Sequence, residues 1–259
     1  MSIVGIAILG LLIGSFLGAY TYRLPRGIQI TKGRSICVKC GETVKWFDNI
    51  PILSYLLLAG KCRKCNQRIS VRYPIIEFVT AATIVLVTIF YNEIIENIEW
   101  LRILGLIAIP YLLFISTLLI AIFVIDLERQ IIPDNLVFLG LIGVTTTLIL
   151  TDNKEFYIYL FLGFSVALFL LLLNLITRGR GMGLGDVKLA LFLGILLGPT
   201  MTILWTFTSF LLGAIVGIIL ILIGRAKARH PIPFGPFLVV SFFIVLFWGQ
   251  NLIDSLLRR

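Results

Sequence analysis

Histidine is nearly absent. The 259 residues hold one, His230. A zinc protease of the HExxH type needs two histidines on one helical face with a glutamate between them, so that class is excluded. A Ser-His-Asp triad would have to be built on His230 alone, and no GxSxG nucleophile-elbow sequence occurs. Acids are also scarce, 13 Asp and Glu against 22 Lys and Arg. The first apolar run, 2–22, lacks both a basic leading region and a small-residue cleavage site, so it is expected to be a retained span rather than a signal peptide. There is no low-complexity segment and no clear internal repeat.

What is abundant is hydrocarbon. The chain is 59% hydrophobic with a mean hydropathy of +1.06, which no soluble domain carries in runs this long. The composition predicts an all-α polytopic membrane protein. Apolar runs at 2–22, 75–91, 103–125, 135–151, 157–176 and 234–252 are long enough, or nearly so, to cross about 30 Å of hydrocarbon as helices. The run 187–223 is too long for one span, and Gly198-Pro199 breaks it. Two crossings there give about eight transmembrane helices with both termini outside. The first of that pair, 187–198, would reach only about 18 Å, so it is short or begins inside the membrane.

Charge is unevenly spread. Residues 23–72 hold eleven Lys and Arg against Glu42 and Asp48 alone, a net of +9. The positive-inside rule makes this loop cytoplasmic. A nucleic-acid patch is disfavoured, because the bases are interleaved with cysteines and apolar residues and flanked by spans. Residues 92–99, with Glu93, Glu96 and Glu99, read as outside. Residues 152–155 are short and mixed. Residues 178–188 (Arg178, Arg180, Lys188) and 225–230 (Arg225, Lys227, Arg229, His230) read as inside. The organisation expected is a first transmembrane helix at 1–22, a basic cytoplasmic loop at 23–74 and a transmembrane core at 75–259. In the first span Gly10, Gly14 and Gly18 recur every four residues, a spacing that lets helices pack closely in lipid. Gly213 and Gly217 read the same way.

All four cysteines lie in the basic loop, as Cys37-Val-Lys-Cys40 and Cys62-Arg-Lys-Cys65, with twenty-one residues between the pairs. Two CxxC pairs can place four thiolates tetrahedrally around one zinc. A reducing cytoplasm argues against disulfides, and a small charged loop with little core can be folded by a closed metal site. Lys39, Arg63 and Lys64 beside the thiolates would offset their charge.

The informative acids are Asp126, Glu128, Asp134 and Asp186, with Glu77 near the start of the second span. In the topology above, Asp126 ends the third span and Asp186 starts the sixth, both at the cytoplasmic face. Ionisable groups at such a depth mark function by default. Two carboxylates brought close do not readily both ionise, so the pair can act as acid and base on one water, as in aspartic proteolysis. The plainer roles are caps: Asp134 after Pro133 for the fourth helix, Asp186 for the sixth, with Glu128 and Arg129 in a solvated loop. Nucleotide binding by the glycines at 181–185 is poorly supported, since no strand precedes them.

These residues resemble the type IV prepilin leader peptidases, a family of GxGD intramembrane aspartyl proteases, over nearly the whole chain. Gly183-Leu-Gly185-Asp186-Val-Lys188-Leu is similar to the family's GxGDxKL. Asp126 with Ile132-Pro133-Asp134 is similar to its first aspartate motif. The stretches 46–55 (WFDNIPILSY), 60–65 (GKCRKC) and 69–77 (ISVRYPIIE) resemble its cytoplasmic region. Pro233 to Phe237 (PFGPF) resembles its carboxy-terminal motif, and Gly14-Ser-Phe-Leu17 and Arg23-Leu-Pro25 its opening. The family commonly carries Asn directly after GSFL, where this chain has Gly18.

The resemblance implies catalytic aspartates at Asp126 and Asp186 and structural zinc on Cys37, Cys40, Cys62 and Cys65. Gly183, Gly185, Lys188, Pro133 and Asp134 are the supporting motif positions. It implies cleavage of the basic leader of prepilins or pseudopilins at the cytoplasmic face of a bacterial membrane. It further implies methylation of the new amino terminus from S-adenosylmethionine. The expected partners are these substrates and membrane lipids, without nucleic acid and with no oligomeric state specified. Lys188 is expected either to tune Asp186 or to anchor at the membrane interface. A different class of function, a proton- or ion-coupled transporter using the two aspartates as a relay, predicts acids at the bilayer midplane and repeated halves.

Overall fold

A computed structural model describes residues 2–29, 35–151, 155–179, 181–224 and 232–257. The loop residues 152–154, Arg180, and Arg225, Lys227, Arg229 and His230, used above to orient the chain, lie outside the described residues. The architecture is all-α. β pairing among the described residues is limited to two isolated antiparallel bridges, Ile36 with Thr43 and Lys61 with Arg68. Among the described residues ten α-helices follow in order: α1 Ile3–Arg23, α2 Leu53–Leu57, α3 Arg72–Ile89, α4 Tyr91–Asn97, α5 Ala108–Arg129, α6 Asp134–Leu150, α7 Phe156–Ile176, α8 Leu184–Leu197, α9 Pro199–Leu222 and α10 Gly235–Leu257. Short 3-10 segments cover Leu24–Arg26, Trp46–Asn49 and Glu99–Ile107.

A helix stands at each of the eight expected spans, and six of them, among the described residues, are long and apolar enough by themselves to cross a membrane. The two that fall short are α6, with 17 residues, and α8, with 14. At 1.5 Å per residue α8 spans about 21 Å. The break at Gly198-Pro199 is where the sequence placed it: Gly198 adopts φ 76° and Pro199 opens α9.

The chain divides into two compact units, Met1–Ile89 and Phe90–Arg259. In the first, α1 packs against α3 through the glycine ladder. A Cβ on Gly10 would lie 2.6 Å from Ala81 Cα, one on Gly14 2.6 Å from Glu77 Cα, and one on Gly18 3.1 Å from the Tyr73 ring. The contacts step four residues up one helix and four down the other, an antiparallel seam that larger side chains would force apart. Where the family has Asn, Gly18 therefore seats Tyr73. Its carbonyl accepts a hydrogen bond from the Arg72 guanidinium at 2.7 Å, which also donates to Thr21 Oγ1 at 2.6 Å.

In the second unit the acidic stretch expected to be an outside loop is instead α4 and the 3-10 helix after it. Asn97 is buried there. It donates to the Leu246 carbonyl at 2.8 Å and accepts from the Gln250 N–H at 2.9 Å, fastening α4 to α10. Helix α8 is apolar all round because it is enclosed. Every residue from Leu189 to Leu197 except Leu191 is buried, as expected for a helix covered on all sides rather than one facing lipid. Trp100 closes its far end, donating its indole N–H to the Leu196 carbonyl at 3.1 Å. Gly213 faces Phe234 and Phe237, but Gly217 has open space around it, so only the first of that pair serves packing.

Candidate active site and metal centre

Helix α5 does not stop at the end of its hydrocarbon run. It continues through Asp126 to Arg129 and ends when Gln130 turns into the left-handed region, its N–H bonding the Asp126 carbonyl at 2.8 Å. Glu128 and Arg129 are thus helical. Asp126 is 4% exposed. Its Oδ2 is buried with no hydrogen-bond partner among the described residues, although the Gly235 N–H faces the carboxylate. A buried, unsatisfied carboxylate oxygen costs folding free energy and is kept where chemistry uses it.

Asp186 sits in the first turn of α8 and is 7% exposed. Its Oδ2 accepts the Gly183 N–H at 2.9 Å. The cap role and a chemical role are therefore compatible: one oxygen is fixed by the helix start, and this fixes the orientation of the other. The glycine loop before it is held by α7. Asn174 donates to the Met182 carbonyl at 2.5 Å, and Thr177 Oγ1 accepts the Gly181 N–H at 3.1 Å. Neither residue was singled out from the sequence. The available signal was Asn174, a lone amide in the apolar run of α7.

One side chain joins the segments that carry the two acids. Ile132, in the loop after Asp126, packs against Gly185, where a Cβ would be 2.9 Å from Ile132 Cβ. It packs also against Gly235, where a Cβ would be 3.1 Å from Ile132 Cδ1. A Cβ on Gly235 would come within 2.5 Å of Asp126 Oδ2. The Asp186 carboxylate is within electrostatic reach of Asp126. Asp126 from α5, Asp186 from α8 and Gly235 from the start of α10 thus form one cluster at one end of these helices. The sequence offered Gly235 only as a motif residue and Ile132 not as a functional one.

Asp134 and Lys188 pair with each other. The Lys188 ammonium lies 2.8 and 2.9 Å from the two Asp134 oxygens. This places Lys188 on Asp134, in the first turn of α6, while Pro133 takes the N-cap position. The pair joins the two motif segments, but both partners are exposed. Such pairs contribute about 0.2–1 kcal/mol. Lys188→Ala should therefore leave thermal stability in detergent almost unchanged, and a large fall in Tm would show that the pair carries more.

In the first unit the four cysteine sulfurs lie within 4.8 Å of one another, with Cys37 and Cys65 Sγ 3.9 Å apart. A tetrahedral zinc–thiolate site has sulfur–sulfur edges of about 3.8 Å. Each pair sits on the same short turn. The Cys37 N–H bonds the Glu42 carbonyl at 2.8 Å and the Gly41 N–H bonds Cys37 at 2.9 Å. The Cys62 N–H bonds Gln67 at 2.9 Å and the Asn66 N–H bonds Cys62 at 2.9 Å. Gly41 and Asn66 supply the matching positive φ angles of 70° and 55°. The loop therefore contains a small repeat that the sequence analysis did not identify.

The N–H groups of Cys40 and Lys39 lower the Cys37 thiol to about 6, and those of Cys65 and Lys64 lower Cys62. At Cys65 the Gln67 N–H works the same way, but burial and the neighbouring Cys40, Cys62 and Cys37 outweigh it and push this thiol up to about 11. Four sulfurs this close cannot all ionise without a cation between them. Of the bases expected to offset them, Arg63 is on Asp48 at 2.6 Å and Lys64 on Glu42, with Lys64 also attracted to Cys40 and Cys62.

Residues 8–91 match the bacterial peptidase A24 N-terminal domain, and residues 113–218 match the type IV leader peptidase family. Among curated proteins the chain is 31% identical to a prepilin leader peptidase/N-methyltransferase of Pseudomonas aeruginosa, over 97% of this chain and 92% of that one. It is 33% identical to the protein of that name from Vibrio cholerae, over 93% and 94%, and 32% identical to that of Bacillus subtilis, over 97% and 96%. No solved structure is significantly similar to the chain. A membrane-spanning helical protein with buried paired aspartates and these relatives belongs to the type IV leader peptidase family.

Proposed function

We propose that the protein is a membrane aspartic endopeptidase that removes the basic leader of type IV prepilins or pseudopilins, with Asp126 and Asp186 as its catalytic pair. The observation that carries this is that two buried carboxylates, one with an unsatisfied oxygen, lie within electrostatic reach of each other where Ile132 joins Gly185 and Gly235. One carboxylate takes a proton from a water as it attacks the scissile carbonyl, and the other gives a proton to the departing amine. No covalent intermediate forms. Gly185 and Gly235 leave room beside the acids for an extended peptide backbone. Pro133 and Asp134 start α6 directly after Ile132 and so hold it in place. Gly183 orients Asp186. Positive loop charge supports a catalytic end on the cytoplasmic side of a bacterial membrane. Neither the fold nor the relatives support a coupled transporter.

The relatives' names include N-methyltransferase. We extend that activity to this chain, with S-adenosylmethionine as methyl donor and the newly exposed amino terminus as acceptor. We assign zinc to Cys37, Cys40, Cys62 and Cys65, where it would tie the two turns together without taking part in proteolysis. The purified protein should carry about one zinc per chain. Cys37→Ser should lose it and leave the 36–68 region open to limited proteolysis. Full zinc content in that variant would contradict the assignment.

The function is tested in a host lacking a leader peptidase. Co-expression with a prepilin should convert the precursor to the shorter mature form on an immunoblot. A precursor left at full length, with this protein present in the membrane, would sink the proposal.

A further inference from the structure

The basic loop exposes apolar surface that the catalytic account does not use. Helix α2 carries Leu53, Leu56 and Leu57 at 50%, 68% and 77% exposure, and Trp46 beside it is 81% exposed. Leucines at i, i+3 and i+4 form one stripe of the helix, while Ser54 between them turns inward and is buried. The 3-10 turn Trp46–Asn49 packs against α2, so indole and leucines belong to one structural piece.

This piece is tied to the helix pair. Ile52, the residue before α2, donates its N–H to Glu77 Oε2 at 2.7 Å. Glu77 is buried in the α1–α3 seam opposite Gly14. It lies five residues into α3 from Arg72, about 7.5 Å along the helix axis. The Glu77 carboxylate thus ties the start of α2 to the flank of α3 beyond its first turn. Interfacial helices bury their apolar face about 5–10 Å into the headgroup and acyl boundary, and tryptophan is enriched at that level. The charge agrees. Residues 23–72 carry a net +9, which stays positive after four thiolates and a divalent ion are counted. An exposed apolar stripe on a net-positive segment, tied to a pair of membrane-spanning helices, suits an anionic lipid surface.

We propose that α2 and Trp46 are a membrane-surface anchor that lies in the interface of an anionic phospholipid leaflet and holds the cysteine turns against it. The proposal is independent of the proteolytic activity. Its test uses the full chain reconstituted in vesicles of phosphatidylcholine and phosphatidylglycerol, with some phospholipid brominated near the glycerol end of its acyl chains. Trp46 emission is isolated by subtracting the Trp46→Phe variant, since Trp248 also faces outward. Brominated lipid should quench the Trp46 component, and aqueous acrylamide should quench it only weakly. The protection should weaken when phosphatidylglycerol is left out. In Leu56→Glu/Leu57→Glu, acrylamide should gain access and bromolipid quenching should fall. Acrylamide quenching as strong in vesicles as in detergent would overturn the anchor and leave the stripe to an aqueous partner. Protection from both quenchers would overturn it as well, in favour of a protein contact. Equal bromolipid quenching without phosphatidylglycerol would overturn the requirement for anionic lipid.

Discussion

Asp126→Asn and Asp186→Asn should each abolish leader cleavage while the chain accumulates in the membrane at its normal level. Asparagine keeps the shape of the side chain and removes its ability to take or give a proton. Loss of one positioned acid or base costs about 10²–10⁴-fold, enough to leave a precursor uncut in a cellular assay. The fold should tolerate both changes. Asp126 Oδ2 makes no hydrogen bond among the described residues, so no bond to that oxygen is lost. At position 186 the amide oxygen can still accept the Gly183 N–H that caps α8. Precursor and mature bands, measured beside the amount of enzyme in the membrane fraction, separate the two effects. Wild-type cleavage by either variant would contradict a shared site, and loss of the protein itself would contradict the claim that these acids serve chemistry rather than folding.

Gly235→Ala should lower cleavage by about 10²-fold or more, the order of loss caused by displacing a catalytic group by about 1 Å. The added methyl would sit 2.5 Å from Asp126 Oδ2 and 3.1 Å from Ile132 Cδ1. Both distances are too short for carbon, so the carboxylate or Ile132 must move. Alanine is also a better helix former than glycine, so α10 itself should not be weakened. The expected pattern is a fall in kcat with thermal stability held. An active Gly235→Ala enzyme would show that the start of α10 does not confine Asp126.

Much of this was readable from residue order, for reasons that differ by element. The ladder Gly10, Gly14 and Gly18 indicated a close helix pair because only glycine permits that approach, and the structure supplies Ala81, Glu77 and Tyr73 as its opposite side. Gly198-Pro199 marked a break because proline cannot sit within a helix. The paired cysteines indicated a metal centre through spacing alone. What depends on tertiary contact was hidden. Helix α4 was hidden because its acids look like a loop until Asn97 is seen bonded to α10. The shortness of α8 was legible from the Gly198-Pro199 break, but that other helices cover it from Leu189 to Leu197 was not. Lys188 and Asp134 are 54 positions apart, and neither the reach of Ile132 to two glycines nor the Oδ2 left unsatisfied has any signature in the string.

This chain alone should cut a prepilin leader and then modify the product. The most direct measurement incubates the purified protein with a prepilin peptide, with and without S-adenosylmethionine, and weighs the products by mass spectrometry. The account predicts a leader fragment and a mature fragment in both cases, with the mature fragment heavier by one methyl group only when the donor is present. An intact peptide under both conditions would contradict it.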